Sequence, residues 1–300
     1  MMAGGAVQMR ISVLMSVKNE AEHIESALRS IEPALHLGVE VVLVDDGSTD
    51  GTPDIVFGLG LPYVRIVRTE GIGKAAAFSL AYQHAQGEYF VLFAGDDLLQ
   101  AETLEARIAP LQEHAGHGPC VTFCRLRSFS TQKKYDAMEL PKKPHLGLES
   151  GGCMAFNRAF GDLAFPIPDM LANEDSWLML HVRYLGVPSS HVPLVGLLYR
   201  IHENNSYKRG VPFSQVNEQM WMRQRAIFYF YEKYRQQMSA ATQREVLVEF
   251  CLQLLRYLGL GASIVLVGRA SLVLRIKMLF NASAPLYAIR ERFYKFFSGW

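Results

Sequence analysis

Gly87-Glu88-Tyr89-Phe90-Val91-Leu92-Phe93-Ala94-Gly95-Asp96-Asp97 decides how this chain is read. A glycine is expected to end one helix, five β-formers from Tyr89 to Phe93 then cross a core, and two carboxylates follow where the strand leaves its sheet. In open α/β sheets ligands collect outside the carboxyl ends of strands, and adjacent aspartates there can hold a hard divalent cation that in turn holds a diphosphate. The same letters also suit a solvated Asp-Asp turn. A second strand tips the balance by ending the same way: Glu40 to Val44 runs into Asp45-Asp46-Gly47-Ser48-Thr49-Asp50-Gly51.

Working outward, Ile11 to Val17 reads as a first strand, and Asn19 with Glu22 as a capping box for a helix carrying Ile24, Ala27, Leu28 and Ile31. Thr52 is expected to cap a short helix with Pro53 in its first turn, and Tyr63 to Val67 to form a third strand. Gly71-Ile72-Gly73-Lys74 leads into an alanine-rich helix that Gly87 should stop. Pro110 should bend or end the helix holding Leu104, Ile108 and Leu111. Val121 to Leu126 and Val192 to Tyr199 are further strands, joined in part by a polar surface connection from Ser130 to Glu149. Asn173 should cap a helix opened by Glu174 and Asp175, whose charges suit its positive end. Alternating strands and helices of this length predict an α/β fold, a mainly parallel doubly wound sheet flanked by helices.

Beyond residue 210 the pattern turns helical: Met220 to Tyr234, Ala241 to Leu258, Ala262 to Phe280 and Leu286 to Phe297. Between Arg269 and Trp300 six basic residues face one acid among aromatic and aliphatic neighbours. Such a tail suits an anionic membrane surface or a helical subdomain packed on its own core, and periodicity does not separate the two.

Three hundred residues allow a large domain with an extension, and an apolar half supplies the core. Thirty Lys and Arg against 29 Asp and Glu give a nucleic-acid partner no support. Cys120, Cys124, Cys153 and Cys251 lack zinc-type spacing, and MMAGGAVQMR lacks the apolar run of a signal peptide, so a reducing cytoplasm is the expected location. No stretch is long and apolar enough to read as a transmembrane span.

The series Ser16-Val17-Lys18-Asn19-Glu20, Val44 through Thr52, Gly73-Lys74, Gly87 through Asp97, Glu174-Asp175 and Tyr199-Arg200-Ile201-His202 resembles glycosyltransferase family 2, inverting transferases of GT-A fold. The resemblance covers roughly residues 8–210, a nucleotide-sugar-binding catalytic domain, and leaves 211–300 as a C-terminal helical extension. It implies a donor site at Ser16, Val17, Asn19, Asp46, Gly73, Lys74, Asp96 and Arg200. Asp46 would take the base, or else stabilise its own turn, and Asp96 the ribose or sugar. Asp97 would hold Mn²⁺ or Mg²⁺, His202 would reach the same metal or the diphosphate, and Asp175 would be the general base, with Glu174 tuning it or binding the acceptor. Lys74 or Arg200 would help stabilise the departing nucleoside diphosphate. Ala94 stands where many relatives carry a further aspartate, Ala101 where a proline is common, and no QxxRW-type segment of processive synthases is present.

The expected function is transfer of one sugar from a nucleotide sugar, UDP-linked by family habit, to a glycan or lipid-linked acceptor. The expected setting is the cytoplasm, peripheral to the inner face of a membrane. The alternative is a noncatalytic module of the same fold that binds a nucleotide sugar or glycan. A nucleotidyltransferase ranks low, because the first loop lacks a Gly-rich, basic triphosphate-binding pattern.

Overall fold

The computed structural model describes residues 10–202, 205 and 211–292. The chain divides into two compact units, Met1–Met170 with Gly186–His202, and Leu171–Leu185 with Glu203–Trp300.

The first unit holds β1 (Ile11–Val17), α1 (Ile24–Arg29), β2 (Val39–Asp46), α2 (Thr52–Leu59), β3 (Val64–Thr69), α3 (Lys74–His84) and β4 (Tyr89–Ala94). It continues through β5 (Leu98–Leu99), α4 (Leu104–Glu113), β6 (Val121–Phe129), β7 (Glu139–Leu140), β8 (Met154–Asn157), α5 (Arg158–Ala164) and β9 (Ser189–Arg200). One sheet runs β3-β2-β1-β4-β8-β6-β9-β5, with β7 beside β6. β3, β2, β1 and β4 are mutually parallel, so their carboxyl ends emerge together. Beyond β4 the sheet is mixed: β8 runs antiparallel to both β4 and β6, while β6 and β9 are parallel. Part of the expected polar connection after β6 turns back as the short hairpin strand β7.

Side chains of β1, β2 and β4 are buried on both faces, which is why these strands read as unbroken apolar runs. Val13, Met15, Val41, Leu43, Val91 and Phe93 join one large core cluster. Elsewhere Phe90 packs on Tyr82 and Phe156 at centroid distances of 5.0 and 5.2 Å. Edge strand β3 is only half-buried.

Several local expectations shift. α1 starts at Ile24 without a side-chain cap, because Asn19 adopts a left-handed φ of 57° and bonds a neighbouring loop instead. Gly51, not Thr52, is the cap position of α2. α3 already ends at His84; Gly87 allows a close approach instead, since a Cβ there would lie 2.5 Å from Ser12 Oγ. α4 continues through Pro110 to Glu113. Asn173 occupies the cap position of the helix opened by Glu174, yet neither atom of its buried amide finds a hydrogen-bond partner among the described residues.

The second unit comprises α6 (Glu174–Tyr184), α7 (Phe213–Gln224), α8 (Ala226–Tyr234), α9 (Ala240–Tyr257), α10 (Gly261–Leu266), α11 (Leu272–Leu279) and α12 (Ala284–Arg292). Trp177, His181, Phe230 and Tyr234 form an aromatic core, in which His181 Nε2 lies 2.9 Å from Tyr234 Oη. Burial pushes the His181 imidazole down to about 4, so it stays neutral at pH 7. The single helix expected from 262 to 280 is broken around Gly268, and Ser271 caps the new start by accepting from the Leu274 N–H. Residues 293–297 of the last expected helix lie outside the described residues, as do 203, 204 and 206–210. Among the described residues no single helix is long and apolar enough to cross a membrane.

Candidate functional site

The parallel strands deliver two loops that are stitched together by side chains. The Asn19 N–H donates to Ser48 Oγ and its amide oxygen accepts from the Thr49 N–H, both at 2.8 Å. The Glu20 N–H donates to Thr52 Oγ1 at 2.8 Å and the Ala21 N–H to Asp50 at 3.0 Å. Four cross-links between the loops after β1 and β2 make a preorganised rim at the carboxyl end of the sheet. Ser16 and Val17 end β1 beneath it, paired with Val44 and Asp45.

Asp46 is engaged by its own chain. One carboxylate oxygen accepts from Thr69 Oγ1 at 2.8 Å and the Ile72 N–H at 2.6 Å, and the other from the Gly73 N–H at 2.9 Å. This carboxylate therefore folds the 69–73 loop and starts α3, where Lys74 is the first residue. Asp45, fully buried, accepts from Arg68 Nε at 3.2 Å.

Asp96 and Asp97 stand in a different setting. Gly95 lets their turn approach β1: a Cβ there would lie 2.8 Å from Val17 Cγ1 and 3.0 Å from Glu20 Cγ. After the turn β5 pairs antiparallel with the end of β9, Leu98 opposite Leu198, and this register brings the residues after Leu198 alongside the aspartates. The Arg200 N–H donates to Asp97 Oδ1 at 2.8 Å, and Arg200 Nε donates to the Asp96 carbonyl at 2.7 Å. His202 Nε2 lies 3.0 Å from Asp96 Oδ2. His23 packs edge-on against His202, ring centroids 5.5 Å apart.

The electrostatics of this corner are strained. Burial and the neighbouring Asp96 hold the Asp97 carboxyl well above the usual range, opposed by the Arg200 N–H, Lys74 and the Arg200 guanidinium. Glu20 is pushed up to about 7, first by burial, then by Asp96 and Asp50, with Arg200 pulling the other way. Burial, followed by Arg200, lowers His23. Acids whose ionisation is resisted by burial and by one another mark a place where an added cation gains energy.

A carboxylate and an imidazole 3.0 Å apart are suitable donors for Mn²⁺ or Mg²⁺. Among the described residues no group of three or more His, Cys, Asp or Glu side chains converges as a ready-made cage. The donor set therefore fits a cation that takes its remaining ligands from water and substrate oxygens.

Residues 12–162, just over half of the chain, match the model of glycosyl transferase family 2. The chain belongs to that family. It is 30% identical over 106 residues to the glycosyltransferase GlyG of Streptococcus pneumoniae, covering 34% of this chain and 35% of that protein. Over 108 residues it is 32% identical to the putative teichuronic acid biosynthesis glycosyltransferase TuaG of Bacillus subtilis, covering 35% and 43%. The matched stretches thus span less than half the length of these curated relatives. In fold, the chain is similar to TarS 1-349 of S. aureus in complex with UDP-GlcNAc, with a TM-score of 0.60, 19% identity and coverage of 94% and 84%. It is also similar to the mannosyltransferase PcManGT of Pyrobaculum calidifontis in complex with GDP-Man and Mn²⁺, with a TM-score of 0.58, 20% identity and coverage of 97% and 81%. The GT-A fold with C-terminal helices is thereby established for this family 2 member.

The family match ends before Asp175, Arg200 and His202, so these positions rest on the structure of this chain. In the first unit Asp96, Asp97, Arg200 and His202 are brought together, with the charge of Lys74 acting on Asp97. His202 reaches Asp96 rather than Asp97. Ser16, Val17, Asn19 and Asp46 lie in or beside the loops at the carboxyl ends of β1 and β2, and Gly73 lies in the loop after β3 with its N–H on Asp46. Glu174, buried, and Asp175, half-buried, open α6 and belong to the second unit. Sequence reasoning missed Glu20 and His23 as members of the charged corner. Glu20 directly follows Asn19 in the quoted Ser16–Glu20 run, and that adjacency was the available signal.

Proposed function

We propose that this family 2 chain is a metal-dependent inverting glycosyltransferase. It would move one sugar from a nucleotide sugar, a UDP-sugar by preference, to a hydroxyl of a glycan or lipid-linked acceptor at the cytoplasmic face of a membrane. The observation that carries the reading is the meeting of Asp96 with His202, more than a hundred residues apart in sequence, beside Asp97 and Arg200.

Asp96 and His202 would hold the cation, which when bound offsets the negative charge of the donor diphosphate. Arg200, anchored through its N–H on Asp97 and its Nε on the Asp96 carbonyl, fixes the loop that bears His202. Asp97 acts from behind, keeping Arg200 and hence that loop in register. Lys74, first residue of α3, adds positive charge for the departing diphosphate. Asp175 is the proposed base: it would accept the proton of the acceptor hydroxyl as oxygen attacks the anomeric carbon and the bond to the diphosphate breaks.

The test is transfer and slow donor hydrolysis across a panel of nucleotide sugars with Mn²⁺. Asp175→Asn should bind donor and lose transfer, and undiminished transfer would remove the mechanism. Donor binding by the wild-type chain with neither transfer nor hydrolysis would leave a noncatalytic sugar-nucleotide module.

A further inference from the structure

The second unit carries a cavity of about 520 Å³ that the transfer chemistry does not use. Arg183 at the end of α6, Arg244 and Glu249 on α9, and Arg269 before α11 stand on its wall. The acid is already satisfied: Glu249 Oε2 lies 2.6 Å from Arg183 Nη1 and accepts from Tyr184 Oη at 2.6 Å. Arg244 and Arg269 have no ion-pair partner among the described residues, and they face the cavity with Glu245 as the remaining acid. Arginines left without a carboxylate on a concave wall are suited to a phosphate, whose oxygens accept from the guanidinium fork.

A second cavity of about 500 Å³ shares Arg244 and Val248 with the first. Its wall continues into Ala240, Leu247, Cys251 and Val267, an apolar lining. Nearby in the chain, α10 and α11 leave Leu266, Val273 and Leu272 82%, 77% and 63% exposed. From Phe250 to Arg290 the sequence has basic residues and no acidic one. Cationic pocket, contiguous apolar groove and an acid-free apolar surface occur in one unit, and together they match one kind of molecule.

We propose that this double cavity is a binding site for a phosphorylated membrane lipid. Its phosphate lies between Arg244 and Arg269, and the start of its hydrocarbon lies along Leu247, Val248 and Val267. The inference rests on the reading that the chain works at a membrane face, and it names the site and the headgroup chemistry that hold it there.

The test uses the full chain with vesicles of phosphatidylcholine alone or mixed with phosphatidic acid, followed by co-sedimentation. The wild-type chain should partition onto the phosphatidic acid vesicles only, and excess glycerol phosphate should release it. Replacing Arg244→Gln together with Arg269→Gln should lower partitioning at least about tenfold, since each basic residue near such a surface contributes on the order of 1 kcal/mol. Arg235→Gln, an exposed arginine of the same unit paired with Glu232, should change it less than about twofold. Equal partitioning by the double variant, an equal loss in Arg235→Gln, or no binding by the wild-type chain would overturn the site. So would thermal stabilisation by inorganic phosphate without vesicle binding, which would mark a free-anion pocket. Donor binding is measured separately as a Mn²⁺-dependent rise in Tm with UDP-sugars. A chain that takes donor but ignores vesicles loses only the lipid site, whereas one that binds vesicles and no donor loses the transferase reading.

Discussion

Two strands of this protein end in paired aspartates, and the pairs live in opposite environments. Asp45 and Asp46 at the end of β2 are held by Arg68, Thr69 and the N–H groups of Ile72 and Gly73. Asp96 and Asp97 after β4 are crowded by each other, by Glu20 and by burial, and reach across to Arg200 and His202. The first pair expends its hydrogen-bonding capacity on folding a loop. The second retains an electrostatic tension that a ligand can relieve.

Four measurements can break or sharpen that contrast. Asp96→Ala should reduce transfer about 1000-fold, the upper range for removing one charge-stabilising group, while leaving Tm nearly unchanged. Asp46→Ala should do the reverse, costing about 3 kcal/mol in urea unfolding, because it leaves one hydroxyl and two backbone N–H donors without their acceptor. Should Asp46→Ala instead retain stability and lose donor affinity, the base-binding role suggested by family resemblance would replace the structural one. Gly95→Ala should cost about 2 kcal/mol, since its methyl must displace Val17 or Glu20 and so push the turn off β1.

The smallest effect is a pH dependence. Glu20 in the folded chain titrates near 7, against an ordinary 4.5. Between those values the folded protein keeps a proton that the unfolded chain has released, so the contribution of this group is full below about pH 4.5 and is lost as pH rises through 7. Glu20→Gln should therefore gain about 1 kcal/mol over wild type between acid and neutral pH, the shift being discounted because the carboxyl keeps solvent access. Thermal melts of both proteins across that range check it, and parallel curves would show that the corner is not strained.

Much of the fold was legible because parallel strands buried on both faces must be apolar throughout. Ile11–Val17 and Tyr89–Ala94 therefore announce themselves, as does the helix opened by Lys74. Boundaries set by tertiary bonds were less legible. Asn19 looked like a helix cap, yet it spends its amide on Thr49, and the expected 262–280 helix breaks near Gly268 as its two parts pack around Ile264 and Met278. Adjacency to Asn19 pointed to the place of Glu20 but not to its tension, which burial and the distant Asp96 create.

By itself the sequence determined the alternation of strand and helix, the two acidic strand ends and the family, since these depend on local periodicity and on short contiguous motifs. Only the tertiary structure decided which acidic pair is committed to a loop and which meets a histidine. That choice depends on β5 pairing with β9 in a single register, a contact between residues about a hundred positions apart that no local pattern encodes.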